Sequence, residues 1–153
     1  LGFSLEDRYL KRAGLDYWPQ VELHVHRDWP TALAALDQGS TRPIAERLRL
    51  FTARGGESLF EAAFEPDDVL VFGCESTGLP GELLERHAAR RVYVPVARGV
   101  RSLNLANVVC LATYTAMDRA GVAMPDNDGT YAAHPLANED IWPIQRVRKA
   151  NGS

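Results

Sequence analysis

Residues 69–80 carry the strongest structural signal in the chain and read Val-Leu-Val-Phe-Gly-Cys-Glu-Ser-Thr-Gly-Leu-Pro. The first five residues are continuously apolar, which is typical of a β-strand covered on both faces. Gly73 and Gly78 bracket the following loop, where the backbone can approach a ligand closely or adopt a positive φ. Pro80 suits the first turn of a helix. The stretch therefore predicts a buried strand, a loop and a helix, either around a ligand or as an ordinary connection.

Strand and helix signals alternate on both sides of this stretch. The predicted strands, which are short apolar runs, are Val21–Val25, Leu48–Ala53, Val69–Gly73 and Val92–Val96. The predicted helices are Leu5–Ala13, a helix capped by Asp28 that runs through Leu36, Pro80–His87 and Leu103–Ala120. Alternation of this kind predicts an α/β fold in which helices flank a mostly parallel sheet.

Composition excludes several classes of protein. The chain has 153 residues, 46% of them hydrophobic, so we expect one domain with a real core. The net charge of −3 argues against a globally basic nucleic-acid-binding protein but leaves room for a local basic surface. Because no apolar run approaches the ~20 residues that span a bilayer and no signal peptide is visible, we expect a cytoplasmic protein without a membrane segment. Cys74 and Cys110 are too far apart in sequence to form a disulfide framework.

A second predicted strand-to-helix junction carries polar and basic residues. Residues 94–107 read Val-Pro-Val-Ala-Arg-Gly-Val-Arg-Ser-Leu-Asn-Leu-Ala-Asn. Ser102 and Asn104 fall at the start of the long helix, and the simplest interpretation is that Ser102 caps it. Arg98 and Arg101 place positive charge beside a helix N-terminus, which itself favours anions. The junction therefore suits a phosphate or a carboxylate.

Several common catalytic motifs are missing from the sequence. We find no Gly-x-Gly-x-x-Gly fingerprint, no phosphate-binding Gly-Lys-Ser/Thr loop and no His-Glu-x-x-His zinc motif. The four histidines do not cluster, although His24 and His26 alternate on a predicted strand, so we expect no metal site. Ser102 lacks a nucleophile elbow, which argues against hydrolase chemistry.

The two loops, in this order and spacing, resemble motifs 2 and 3 of the SPOUT superfamily of RNA methyltransferases. Motif 2 is matched by Phe72-Gly73-x-Glu75-x-x-Gly78-Leu79-Pro80, and motif 3 by Pro95 with Arg101-Ser102-Leu103-Asn104-Leu105-Ala106-Asn107. Residues 12–17, Arg-Ala-Gly-Leu-Asp-Tyr, are similar to the branch of that superfamily that methylates the wobble ribose of leucine tRNAs.

The resemblance implies a fold and an assembly. The parallel sheet would be tied in a trefoil knot in its C-terminal part, and two subunits would associate through the knot region to form a composite site. Residues 1–121 would be the methyltransferase domain, and residues 122–153 a polar C-terminal tail. The first strand–helix unit of the superfamily, which carries an arginine assigned to activating the ribose, has no match in this sequence.

The resemblance also implies a donor site and an RNA surface. S-adenosylmethionine would be the methyl donor, without a metal, because its sulfonium is already a good leaving group. The residues that would bind it are Phe51, Thr52, Gly73, Glu75, Val94, Ser102 and Leu103. The catalytic residues would be Ser102 and Asn104, which orient the ribose or the donor, and Arg101 on a phosphate. The residues that would contact tRNA, in its anticodon stem-loop, are Arg8, Lys11, Arg12, Arg98 and Tyr114.

Other interpretations stay open. Arg8, Lys11 and Arg12 can instead form a solvated helix face, and Tyr114 can be a dimer contact or a core aromatic. At the level of function, the alternatives are a ribosomal RNA ribose 2′-O-methyltransferase and a non-catalytic knotted dimer that binds RNA or S-adenosylmethionine. A small-molecule binding protein unrelated to RNA is the third.

Overall fold

A computed structural model describes residues 21–53, 55–99 and 102–124. The chain divides into two compact units, of which one spans Leu33–Asp126 and the other combines Leu1–Ala32 with Asn127–Ser153. The predictions that lie outside the described residues are the first helix, the C-terminal tail beyond residue 124 and the roles of Arg8, Lys11, Arg12 and Arg101.

The described part of the chain alternates helices with short strands. The helices are α1 (Trp29–Asp37), α2 (Ile44–Arg47), α3 (Gly81–Arg86) and α4 (Leu105–Arg119), with one 3₁₀ turn at Ala88–Arg90. The strands are β1 (Leu48–Phe51), β2 (Glu57–Ser58), β3 (Val69–Val71) and β4 (Arg91–Tyr93). None of these helices combines the length and apolar character needed to cross a membrane.

The strands form one sheet in the order β2-β4-β1-β3, and every pair in it is parallel. Leu48 pairs with Val69 between β1 and β3, and Phe51 pairs with Val92 between β1 and β4. The predicted parallel sheet with flanking helices is therefore confirmed. Because parallel strands end at the same edge, the loops after β1, β3 and β4 meet there.

A hydrophobic core joins the sheet to the longest helix. Its buried members are Phe51, Leu59, Ala62, Phe64, Val92, Ala112 and Ala116. Ala112 and Ala116 lie one turn apart on α4, so they share a helix face. They belong to the same buried cluster as Phe51 of β1 and Val92 of β4, so this face of α4 packs against the sheet.

An ion-pair network holds the opposite edge of the sheet. The Asp68 carboxylate, whose side chain is 2% exposed, lies 2.8 Å from Arg49 Nε and 3.4 Å from Arg42 Nη1. Arg42 also pairs with Asp67, and the buried Arg47 donates from Nε to the Asp67 carbonyl oxygen at 2.8 Å. These contacts tie the chain before β1 to the turn that leads into β3.

The structure corrects one predicted strand and adds three elements. Residues 21–26, which include Val21–Val25, form no strand, because no other described segment pairs with them. Helix α2, strand β2 and the 3₁₀ turn are too short to produce a periodic pattern in the sequence. The predicted cap of α1 is confirmed, since Asp28 Oδ1 accepts from the Thr31 backbone N–H at 2.9 Å.

Candidate functional site

A cavity of about 420 Å³ opens at the edge of the sheet where β1, β3 and β4 end. Its walls come from residues 51–53 at the end of β1, residues 72–79 after β3, and Val94 and Val96 after β4. Ser102 and Leu103 close it from the chain before α4, Leu105 and Val108 from α4 itself, and Leu84 from α3. The volume lies within the roughly 300–1,000 Å³ of small-molecule sites.

All the residues predicted to bind a donor line this one cavity. They are Phe51, Thr52, Gly73, Glu75, Val94, Ser102 and Leu103. Three of the other predicted site residues, Arg98, Asn104 and Tyr114, are described but do not line it. The structure thus brings the predicted donor residues together, and their role in binding stays a prediction.

The loop after β3 is closed on itself by its backbone. The Gly78 N–H donates to the Cys74 carbonyl oxygen at 2.8 Å, and Gly78 adopts a φ of +70°, as its glycine allows. A Cβ atom on Gly73 would overlap the backbone of Gly78 and Leu79. The loop's own backbone therefore requires a glycine at position 73. This reason adds to the predicted one, which is that a glycine lets a ligand approach the backbone closely.

Cys74 is a functional candidate that sequence reasoning missed. Its sulfur lies 3.4 Å from the Ser76 hydroxyl and 2.7 Å from the Thr77 hydroxyl, and the residue lines the cavity. Hydrogen bonds from Ser76 and then Thr77 lower the pKa of the Cys74 thiol to about 6. The signal in the sequence is the pair of hydroxyl residues, Ser76 and Thr77, shortly after the cysteine. That signal can be interpreted only when the turn between Cys74 and Gly78 is known.

The start of α4 differs from the simplest prediction. The helix begins at Leu105, and the side chain of Asn104 caps it by accepting from the Asn107 backbone N–H at 3.3 Å. The interpretation of Ser102 as the cap is wrong, because the helix begins two residues later than predicted. Ser102 is instead exposed on the cavity wall.

The predicted RNA contacts that the structure describes lie on the surface. Arg98 is exposed in the connection between β4 and α4, and no described carboxylate pairs with it. Tyr114 is 62% exposed on α4, so the alternative of a core aromatic is wrong. Contact of either residue with RNA stays a prediction.

The cavity combines an apolar interior with a polar rim. The rings of Phe51 and Phe72 stack at a centroid distance of 4.5 Å, and Val94 and Leu103 extend the apolar wall. Glu75 adds a carboxylate. In the described ranges, no group of three or more His, Cys, Asp or Glu side chains is placed to hold a metal ion. Such a cavity can hold a flat aromatic group against its apolar wall and a charged group at its rim.

Comparison with known proteins finds tRNA methyltransferases that are similar in sequence to this chain. A protein from Burkholderia ambifaria named tRNA (cytidine(34)-2′-O)-methyltransferase is 43% identical over 122 residues, which are 79% of this chain and 75% of that protein. A protein of the same name from Yersinia pestis is 34% identical over 122 residues, 79% of this chain and 74% of that one.

A solved structure described as "Structural insights into the 2-OH methylation of C/U34 on tRNA" is also similar. It matches with a TM-score of 0.67 and 45% identity, covering 79% of this chain and 74% of that one. The model of the SpoU rRNA Methylase family matches residues 1–114, a range that contains both sequence motifs. This match, together with the relatives and the sheet, confirms the resemblance in sequence, and the chain belongs to the SpoU rRNA methylase family.

Proposed function

We propose that this chain transfers a methyl group from S-adenosylmethionine to the ribose 2′-hydroxyl of the wobble nucleotide of tRNA, leucine tRNAs included. The observation that carries the proposal is the cavity in which Phe51, Gly73, Glu75 and Ser102 meet, in a chain of the SpoU family. The relatives named tRNA (cytidine(34)-2′-O)-methyltransferase, at 43% identity, support nucleotide 34 as the target.

The cavity fits the proposed methyl donor. Phe51, Val94 and Leu103 offer an apolar wall to the adenine ring, while Thr52 and Glu75 offer polar groups to the rest of the molecule. When bound, S-adenosylmethionine supplies a methyl group on a sulfonium sulfur, which takes the bonding electrons as the methyl leaves. A donor of this kind needs no metal ion for the transfer.

The protein's part in the reaction is orientation. A ribose hydroxyl is a weak nucleophile, so it must lose its proton or be polarised as the new O–CH₃ bond forms. Ser102, on the cavity wall, orients the ribose hydroxyl toward the methyl group, and Arg101 holds a phosphate of the RNA. Asn104 keeps the chain entering α4 in place through its cap to Asn107. Alignment of two reactants in this way can lower a barrier by several kcal/mol.

The family membership also supports a proposal for the assembly. We infer that residues 1–121 form the methyltransferase domain with a trefoil knot, that residues 122–153 form a tail, and that the chain acts in the cytoplasm as a homodimer through its knot region. The exposed Arg98 and Tyr114 support a contact with the anticodon stem-loop, beside Arg8, Lys11 and Arg12.

A methyl-transfer assay tests the proposal. It also separates the proposal from methylation of ribosomal RNA, the alternative that the name of the SpoU rRNA methylase family favours. The full-length protein is incubated with methyl-labelled S-adenosylmethionine and either tRNA lacking the wobble methylation or ribosomal RNA lacking 2′-O-methyl groups. We expect label in the tRNA alone. Label in the ribosomal RNA alone would favour the alternative, and donor binding without label in either RNA would favour a non-catalytic dimer.

A further inference from the structure

The described lining of the cavity includes side chains that can be negative and none that is positive. Among its described lining residues, the titratable side chains are Cys74 and Glu75, and none is cationic. Arg54 and Arg101 adjoin lining residues in the sequence but are outside the described ranges. A wall of this kind favours a ligand with net positive charge over a neutral ligand of the same shape.

The two acidic groups are held at the wall in different ways. Cys74 is fixed by the loop itself, since its carbonyl oxygen accepts from the Gly78 N–H and its sulfur lies against the Ser76 and Thr77 hydroxyls. These hydroxyls can donate to a thiolate in charge-assisted hydrogen bonds, which are stronger than the hydrogen bonds they make with a neutral thiol. Glu75 follows directly in the same loop and lines the same cavity.

The proposed donor and its product differ in charge at one atom. S-adenosylmethionine has a sulfonium, an ammonium and a carboxylate, so its net charge is positive. S-adenosylhomocysteine, which remains after the methyl group leaves, has a neutral thioether in place of the sulfonium. The two molecules differ in shape by one methyl group only. Their difference in charge is therefore the larger difference that a protein can recognise.

We propose that Cys74 and Glu75 make this cavity select the cationic methyl donor over its neutral product, so that the product leaves readily after each transfer. This inference rests on the proposed function, because it takes the cavity to be the donor site. It assigns Cys74 a specificity role that its spacing in the sequence does not indicate.

Binding measured by calorimetry on the full chain tests the inference without any turnover. The affinities of S-adenosylmethionine and S-adenosylhomocysteine are compared for the wild type, Cys74→Ser, Glu75→Gln and Cys74→Asp. We expect Cys74→Ser and Glu75→Gln each to reduce the ratio of donor to product affinity by about threefold, as for partly screened charges. Cys74→Asp restores a negative charge and should keep the ratio near that of the wild type.

Cys110→Ser is the matched control, because Cys110 is exposed on α4 and does not line the cavity. We expect this variant to keep the wild-type ratio. The circular dichroism spectrum and melting temperature of each variant show whether it is folded. The ratio should also fall toward one as the salt concentration rises, because salt screens the charges.

The pH dependence provides an independent readout. Because the pKa of the Cys74 thiol lies at about 6, the thiolate fraction grows as pH rises through this value. The preference for the donor should therefore increase from pH 5 to pH 7 in the wild type. Glu75 is unchanged in all the cysteine variants, so the part of the pH dependence that Cys74→Ser abolishes belongs to Cys74.

The outcomes separate this inference from the proposed function. If the wild type binds neither molecule, the proposed donor site is wrong. If the wild type binds both, but Cys74→Ser leaves their ratio unchanged or weakens both equally, the site is right and the charge selection is wrong.

Discussion

Gly73 shows how a single residue determines the shape of the site. Backbone atoms of Gly78 and Leu79 occupy the space that a side chain at this position would need. The sequence indicated a glycine with a function, because it sits between an apolar strand and a loop that ends in another glycine. It could not indicate that the neighbour would be the loop itself, since that contact depends on the turn between Cys74 and Gly78.

Gly73→Ala should therefore open the loop and weaken the site. We expect a loss of about 1–3 kcal/mol in the free energy of unfolding, as for an overpacked position, and a large loss of S-adenosylmethionine affinity. Gly81→Ala is the matched control, because a Cβ there meets no atom within 4 Å. Urea denaturation and calorimetry provide the two readouts. Unchanged donor affinity in a folded Gly73→Ala protein would remove this loop from the site.

Asn104 has a structural role and a predicted catalytic one, and substitutions can separate them. Asn104→Ala removes the cap of α4 and should cost about 1 kcal/mol of stability, which Asn104→Asp should restore. If Asn104 also acts on the ribose, both variants should transfer methyl groups more slowly while binding the donor with little change. Full turnover in Asn104→Asp would limit this residue to capping.

At the scale of elements, long apolar patterns were predictable and short or isolated ones were not. Strands β1 and β3 and helices α3 and α4 lie within predicted segments, although the predicted ends extend further. Strand β4 overlaps its predicted segment but begins one residue earlier, at Arg91. Val21–Val25 has the alternating pattern of a strand, but a strand also needs a neighbour, which no described segment provides. Strand β2 forms only because β4 is beside it.

The ion-pair network at the edge away from the cavity sets the position of β1 relative to β3. Asp68→Asn should leave Arg49 and Arg42 without their buried partner and destabilise the protein by about 3–5 kcal/mol. Asp118→Asn, at an exposed position on α4, is the matched control and should change stability by less than about 0.5 kcal/mol. Equal melting temperatures for the two variants would contradict a structural role for the network.

The same network predicts a loss of stability in acid. Although partial burial acts in the opposite direction, the hydrogen bond and charge of Arg42 hold the pKa of the Asp67 carboxyl below its usual value. A lowered pKa stabilises the fold above the unfolded value of about 3.9, and this contribution is lost as pH falls through the folded value. Thermal melts between pH 2 and pH 6 should show a smaller acid-dependent decrease for Asp67→Asn than for the wild type.

At the scale of the whole molecule, the family and the residues that line the cavity were accessible from sequence because two motifs lie at strand ends. Parallel strands bring their ends to one edge, so residues as distant as Phe51 and Ser102 meet in one cavity. The knot could not be predicted from strand order and loop position. The usual rules for connections between strands argue against knots, and only the resemblance to a family implies one.

We expect the full-length protein to be a dimer. Light scattering on the full-length protein at micromolar concentration should give twice the mass of one chain, because the proposed site takes its donor residues and RNA contacts from different subunits. Cross-linking provides a second readout at the same concentration. A monomer that still methylates tRNA would contradict the composite site.

The most direct measurement is a map of 2′-O-methyl groups on tRNA treated with the full-length protein and S-adenosylmethionine. The tRNA lacks the wobble methylation at the start, and the products are digested and identified by mass spectrometry. We expect a new methyl group on the ribose of cytidine or uridine at position 34, and none with the Gly73→Ala protein. Methylation at another nucleotide, or none despite measured donor binding, would contradict the proposed function.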